Sequence, residues 1–238
     1  MLYTPYIWPL LLGAAILTGI GLYARRFKGA PAINPFILIM WIGVLWALLY
    51  ALNLSAISLS LKIFFFQLQF IPIAFSAPTI LALALQYTQR GAWLTRRRLV
   101  LLLAIPVLSI PLALTGNYQT LFRYDYSLGG SDPLPVLLFS RGPLFWVYYF
   151  YTISTITVAF VLLLTTFRVR TLYFRHTFLL FLGLLLPVLT DTLYQFGITP
   201  VRGLDFATMT FTFTAVVYWW AVLRERMFSV TPIARSTV

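Results

Sequence analysis

Thr177–Phe196 reads TFLLFLGLLLPVLTDTLYQF, a run of 20 residues with one charge, Asp191. A helix needs roughly 20 predominantly apolar residues to cross the hydrocarbon of a bilayer. Whether this run is a span decides between six crossings and seven, and so on which side of the membrane the chain emerges. Outward from it, Met1–Ala24, Gly29–Leu61, Ile63–Gln89, Leu99–Phe122, Gly142–Phe167 and Phe206–Leu223 carry no charge at all. The reading is seven spans, near 5–25, 34–55, 61–88, 97–116, 143–167, 175–196 and 205–226.

Composition agrees. The chain has 238 residues, 61% hydrophobic, 18% aromatic and only 9% charged, against about 25% charged in a soluble domain. The expected fold is an all-α polytopic bundle of seven transmembrane helices. With no Cys, a disulfide framework, a thiolate metal site and a cysteine nucleophile are excluded. The first apolar run has no Lys or Arg before it and Arg25, Arg26 and Lys28 after it, the reverse of a secretory signal. An outside N-terminus and an inside C-terminus put 13 of the 17 Lys and Arg in inner segments, as the positive-inside rule asks. The outer segments hold Lys62, Arg123, Arg141 and Arg202. The net charge of +12 then belongs to headgroup-facing arginines and the bilayer is the partner, with no nucleic acid expected.

The longest connection, from about Thr115 to Gly142, lies on the outer side of this topology. Leu121–Tyr126 partly alternates, Gly129–Pro133 is turn chemistry, and Val136–Phe139 is apolar, so a short β-hairpin between the fourth and fifth helices is expected over the bundle's end. A loop of this length is either a lid or binding loop or a loose connection. Pro9, Pro72, Pro78, Pro106, Pro111 and Pro187 fall inside spans, and the two in the third predict a bent or locally unwound helix. Residues 1–226 read as the membrane domain. The residues from 227 to 238, with Pro232 as a helix breaker, read as the start of a linker to a cytoplasmic effector, with Arg224, Glu225 and Arg226 as the output turn.

Charges inside a membrane are costly and usually functional. Asp191 shares one helical face with Leu184, Pro187 and Tyr194, and that face should point into the bundle. Asp191 is either a structural carboxylate or a ligand contact. Gln67 and Gln69 diverge by about 200° on a helix, so only one faces the centre well; Gln67 shares a stripe with Phe70. Trp46, Tyr50, Tyr148, Tyr149 and Tyr151 lie in the outer halves of their spans, and Thr208 and Thr212 lie on the face of Asp205. Together Trp46, Tyr50, Gln67, Phe70, Tyr148, Tyr149, Asp191, Tyr194, Thr208 and Thr212 describe an outward-opening, mainly apolar pocket with a few polar points, as small-molecule sites are built. His176 stands alone, so no metal is expected; no cofactor motif is present. Neither Lys28 nor Lys62 lies in the last span, which excludes a retinal Schiff base at its usual place.

These residues carry a resemblance. Pro187–Gly197, with its proline, polar residue and tyrosine, Gly203-Leu204-Asp205, Pro232–Arg235, Ala84–Thr88 and Gly142–Trp146 resemble, in order and spacing, the N-terminal seven-helix sensor region of bacterial histidine kinases. The resemblance implies an extracytoplasmic sensing face, a cytoplasmic effector such as a PAS domain followed by a kinase or diguanylate cyclase, a homodimer by analogy with kinases, and a place in the bacterial inner membrane. The expected function is a sensory input domain, not itself an enzyme, that binds a small-molecule or lipid-like ligand and relays a helix rearrangement. A small transporter or channel and a ligand-free dimerisation anchor are the alternatives. The apolar inner halves of the spans and the absence of an inverted repeat speak against transport.

Overall fold

All of the Thr177–Phe196 run but Phe196 lies in a helix, one of seven long helices among the described residues. In the computed structural model the described residues are 4–27, 29–116, 120–129, 135–169, 174–199 and 203–224. The helices are α1 (Ile7–Ala24), α2 (Ile33–Ser55), α3 (Leu59–Tyr87), α4 (Arg96–Leu114), α5 (Pro143–Val169), α6 (Phe174–Gln195) and α7 (Phe206–Trp219), the last running into a π-helical turn, Trp220–Arg224. All seven are long and apolar enough to cross a membrane, and their ends fall within two residues of the spans read from sequence. One main core, with Leu17, Phe36, Ala47, Leu83, Leu163, Leu180 and Tyr218 nearly or fully buried, ties α1, α2, α3, α5, α6 and α7 together.

Of the bend or local unwinding expected in the third helix, the unwinding does not occur: α3 stays helical through Pro72 and Pro78. A proline lacks the N–H that would bond the carbonyl four residues back, and in a membrane that carbonyl needs another donor. Pro106 frees the Leu102 carbonyl of α4, and the Tyr151 hydroxyl of α5 donates to it at 2.5 Å. Pro187 frees the Gly183 carbonyl of α6, and the Thr214 hydroxyl of α7 donates to it at 2.8 Å. Both helix breaks have thus become joints between neighbouring helices. Beside the second joint, Tyr218 donates to the Leu180 carbonyl at 3.1 Å. A Cβ on Gly183 would stand 2.4 Å from the Tyr218 ring, so only glycine admits this approach of α7 to α6.

At the end of the bundle where α2 meets α3, Lys62 is fully buried. Its Nζ donates to the Asn53 carbonyl at 2.9 Å, and the Asn53 side-chain amide donates to the Lys62 carbonyl at 2.7 Å. A cation on a carbonyl of the last turn of α2 adds to the Ala56 N–H that caps it at 3.3 Å and complements the helix dipole.

The expected hairpin sits at this same end. β1 (Arg123–Gly129) pairs antiparallel with β2 (Val136–Arg141); the turn between them, including Gly130–Pro133, lies outside the described residues. Arg123 pairs with Arg141 and Tyr124 with Ser140, after which the register slips and Ser127 pairs with Leu138. Asp125 and Tyr126 thus oppose Phe139 alone, a β-bulge with Asp125 at φ 56°. An extra residue re-aims the side chains that follow it. Here it turns Asp125 out to solvent and Tyr126 toward the bundle, where Tyr126 and Phe139 meet Phe66 of α3 at ring distances of 6.2 and 4.7 Å. Gly142 lets β2 turn into α5: its N–H bonds the Phe122 carbonyl at 2.7 Å, and a Cβ there would stand 2.3 Å from the Thr120 and Leu121 carbonyl oxygens. Pro143 follows at the first helical position, where its missing N–H costs nothing.

Candidate functional site

Beneath the hairpin a cavity runs down between α2, α3, α5, α6 and α7. The space open to the centre of a water molecule is about 110 Å³, several times what a single water needs. Each helix contributes a stripe at helical spacing. α6 gives Leu184, Pro187, Asp191 and Tyr194, with Gly183, Val188 and Gln195 beside them. α3 gives Phe66, Gln69, Ile73, Ser76 and Ile80; α5 gives Phe145, Tyr148, Tyr149, Thr152, Ile153 and Ile156; α7 gives Phe211, Thr214 and Tyr218. α2 supplies Ile39, Met40, Ile42, Gly43 and Trp46, and Arg123 comes in from the hairpin. A smaller recess, about 20 Å³, adjoins through Phe66, Gln69, Tyr194 and Asp205 and reaches Tyr50.

Of the residues singled out from sequence, Trp46, Tyr148, Tyr149, Asp191 and Tyr194 meet on this cavity, and Tyr50 on its side recess. Four do not line it. The two glutamines diverge as expected, but Gln69 takes the cavity, donating to the Leu49 carbonyl at 3.4 Å. Gln67 turns instead toward Tyr126 of the hairpin. Phe70 is fully buried among Phe122, Phe145 and Tyr148. Thr208 bonds the Asp205 carbonyl within its own helix, and Thr212 bonds the Pro9 carbonyl of α1 at 2.5 Å. The face of α7 that carries them packs on α1, and the cavity face lies at Phe211, Thr214 and Tyr218. Asp205 caps α7, its carboxylate accepting from the Ala207 N–H at 2.9 Å while its own N–H bonds the Tyr50 hydroxyl at 2.7 Å. Arg224 ends the described part of α7; Arg202, Glu225, Arg226 and the linker from 227 to 238 lie outside the described residues.

Sequence reasoning missed the two hairpin arginines. Paired directly across the strands, they share the face turned to the bundle. Arg123 is 4% exposed, and burial lowers its pKa from the usual arginine value. Burial does the same to Arg141. Arg141 Nε donates to Gln195 Oε1 at 3.2 Å, and Gln195 Nε2 donates to Asp191 Oδ1 at 2.9 Å. Gln195 therefore bridges the hairpin to the half-buried carboxylate of α6. The signal was present in the alternating run that begins at Leu121: in an antiparallel pairing with flush ends, a strand starting at Arg123 and another ending at Arg141 set those two residues abreast.

The wall of the cavity also carries buried polar atoms with no hydrogen-bond partner: Trp46 Nε1, Arg123 Nε, Tyr149 Oη and Thr152 Oγ1. Buried polar atoms are nearly always bonded, and these four, from α2, the hairpin and α5, leave the cavity lining with open hydrogen-bonding capacity.

Seven helices long and apolar enough to cross a bilayer, five of which supply nearly all of the cavity lining, define a multi-pass membrane protein. The chain belongs to the family described as the N-terminal 7TM region of histidine kinase, which it matches over residues 9–232. It is thus a transmembrane input region, and the kinase activity of such proteins lies in other domains. No curated protein matches the chain.

Proposed function

We propose that this chain is the sensory input domain of a bacterial two-component signalling protein, placed in the inner membrane with its N-terminus outside. The excess of Lys and Arg in the connections away from the hairpin supports that orientation. In it, the hairpin faces out and the cavity beneath it receives a small molecule. The observation that carries this reading is the set of four unpartnered polar atoms on a mainly apolar wall: a guest with both polar and apolar parts would satisfy them.

The guest would touch α3 and α5 on one side and α6 and α7 on the other. It biases a rearrangement only by binding one helix packing better than another. α7 carries Phe211, Thr214 and Tyr218 on the cavity and continues into the π turn at Trp220–Arg224. A π turn inserts one extra residue into the helical repeat and is common at functional points. Its loss or gain would rotate whatever follows, toward a cytoplasmic kinase or PAS domain.

Filling the cavity tests this. In the full-length protein reconstituted in nanodiscs, Ser76→Phe should lock autophosphorylation at one level, unresponsive to culture extract that modulates the wild type. If Ser76→Phe responded as the wild type does, the cavity would not be the sensing site.

A further inference from the structure

The chemistry of the guest follows from an imbalance around Arg123, given the ligand-site reading above. Five aromatic rings surround its guanidinium carbon: Phe66 at 4.7 Å, Phe70 at 5.2 Å, Phe145 at 5.3 Å, Phe139 at 5.4 Å and Phe122 at 5.9 Å. Ring faces stabilise a cation, but they cannot accept the five in-plane N–H donors of a guanidinium, and Nε has no partner. The nearby acids, Asp191 and Asp205, lie within electrostatic reach of Arg123, but the hydrogen bonds they accept come from other groups. Asp191 is held by Gln195, which also takes Arg141, and the Asp205 carboxylate caps α7. Arg123 is left desolvated on the cavity wall with its Nε unpaired, an arrangement that costs free energy until an anion meets it.

Below it the wall changes character. Ile73, Ile80, Ile153, Ile156 and Leu184 line the deeper part of the cavity, with no charge among them. The geometry points to a monocarboxylate with an apolar tail as the ligand class, its carboxylate on Arg123 and its tail between α3, α5 and α6. A planar carboxylate matches the guanidinium fork in a bidentate pair. A doubly charged phosphate would be repelled more strongly by Asp191 and Asp205.

The test is a charge series at constant tail length. The purified chain in zwitterionic nanodiscs is titrated with octanoate, octanol and octylammonium, and thermal stability is read for each. Octanoate should bind at least tenfold more tightly than octanol, and octylammonium should not bind. Arg123→Gln should bring octanoate down to the octanol level, and Arg123→Lys should keep part of the preference. Equal responses to all three compounds would overturn the assignment without any variant. Octanol binding that Ser76→Phe blocks, with no gain for octanoate, would sink the anion while leaving the cavity as a ligand site; no binding by any compound would sink both. An octanoate response that vanishes when phosphatidylglycerol is added to the disc would give Arg123 to a bilayer lipid and overturn the free acid.

Discussion

The two ends of the bundle use the same residue type in opposite ways. Away from the hairpin, Arg25, Arg26, Arg90, Arg96, Arg97, Arg98, Arg175 and Arg224 are all exposed. Some lie over neighbouring rings, as Arg98 lies over Trp93 at 5.1 Å, in the manner of side chains at a headgroup layer. At the hairpin end Lys62 and Arg123 are buried and Arg141 is half-buried. The majority charges fix which way the protein sits, whereas the minority charges build its interior. A tally of loop charges weighs Arg97 and Arg123 alike, although one meets solvent and the other meets five rings.

Substitutions can break this contrast, and they should fall in a definite order. Lys62→Met should be the most damaging, because it removes the charged donor from the Asn53 carbonyl, which keeps only the Ala56 N–H at 3.3 Å; a loss of about 1–3 kcal/mol is expected, read as a lowered Tm in nanodiscs. Arg123→Met should cost less, at most about 1 kcal/mol of cation–π attraction set against the relief of an unpaired buried charge, because no acceptor is stranded. A collapse of the fold in that variant would make Arg123 a structural pin rather than an unpaired donor. Mid-membrane, Thr214→Val and Tyr151→Phe should each lower stability by about 0.6 kcal/mol, the usual size of an interhelical hydrogen bond in lipid. Arg97→Gln, on the exposed side of the comparison, should leave the Tm unchanged; a large drop there would erase the distinction between the ends.

The spans, the hairpin and the inward face of α6 were legible because each is written in local periodicity. Leu184, Pro187, Asp191 and Tyr194 needed only a helical repeat and the cost of a carboxylate in lipid. The choice between Gln67 and Gln69 was not legible, since it depends on how α3 is rotated against α5 and the hairpin. Thr208 and Thr212 were misjudged for a related reason: sharing a face with Asp205 says nothing about which neighbour that face meets, and it meets α1. Phe70 faces the interior as expected, but three other rings fill the space around it. The partners of the prolines were invisible altogether. Pro187 announces a free carbonyl at Gly183, yet nothing near it in the chain names Thr214, 27 residues further on, as the donor.

That last bond constrains how the protein can move. The Gly183 carbonyl has lost its own helix's donor to Pro187 and relies on Thr214, while Tyr218 fills the notch over the missing Gly183 side chain. Sliding α7 along α6 by even one residue would bare a backbone oxygen to hydrocarbon and drive a phenol ring against a backbone with no room for it. The pair must therefore travel as a single strut, and any stroke toward the opposite side of the bilayer has to be taken up along its seams with the remaining helices.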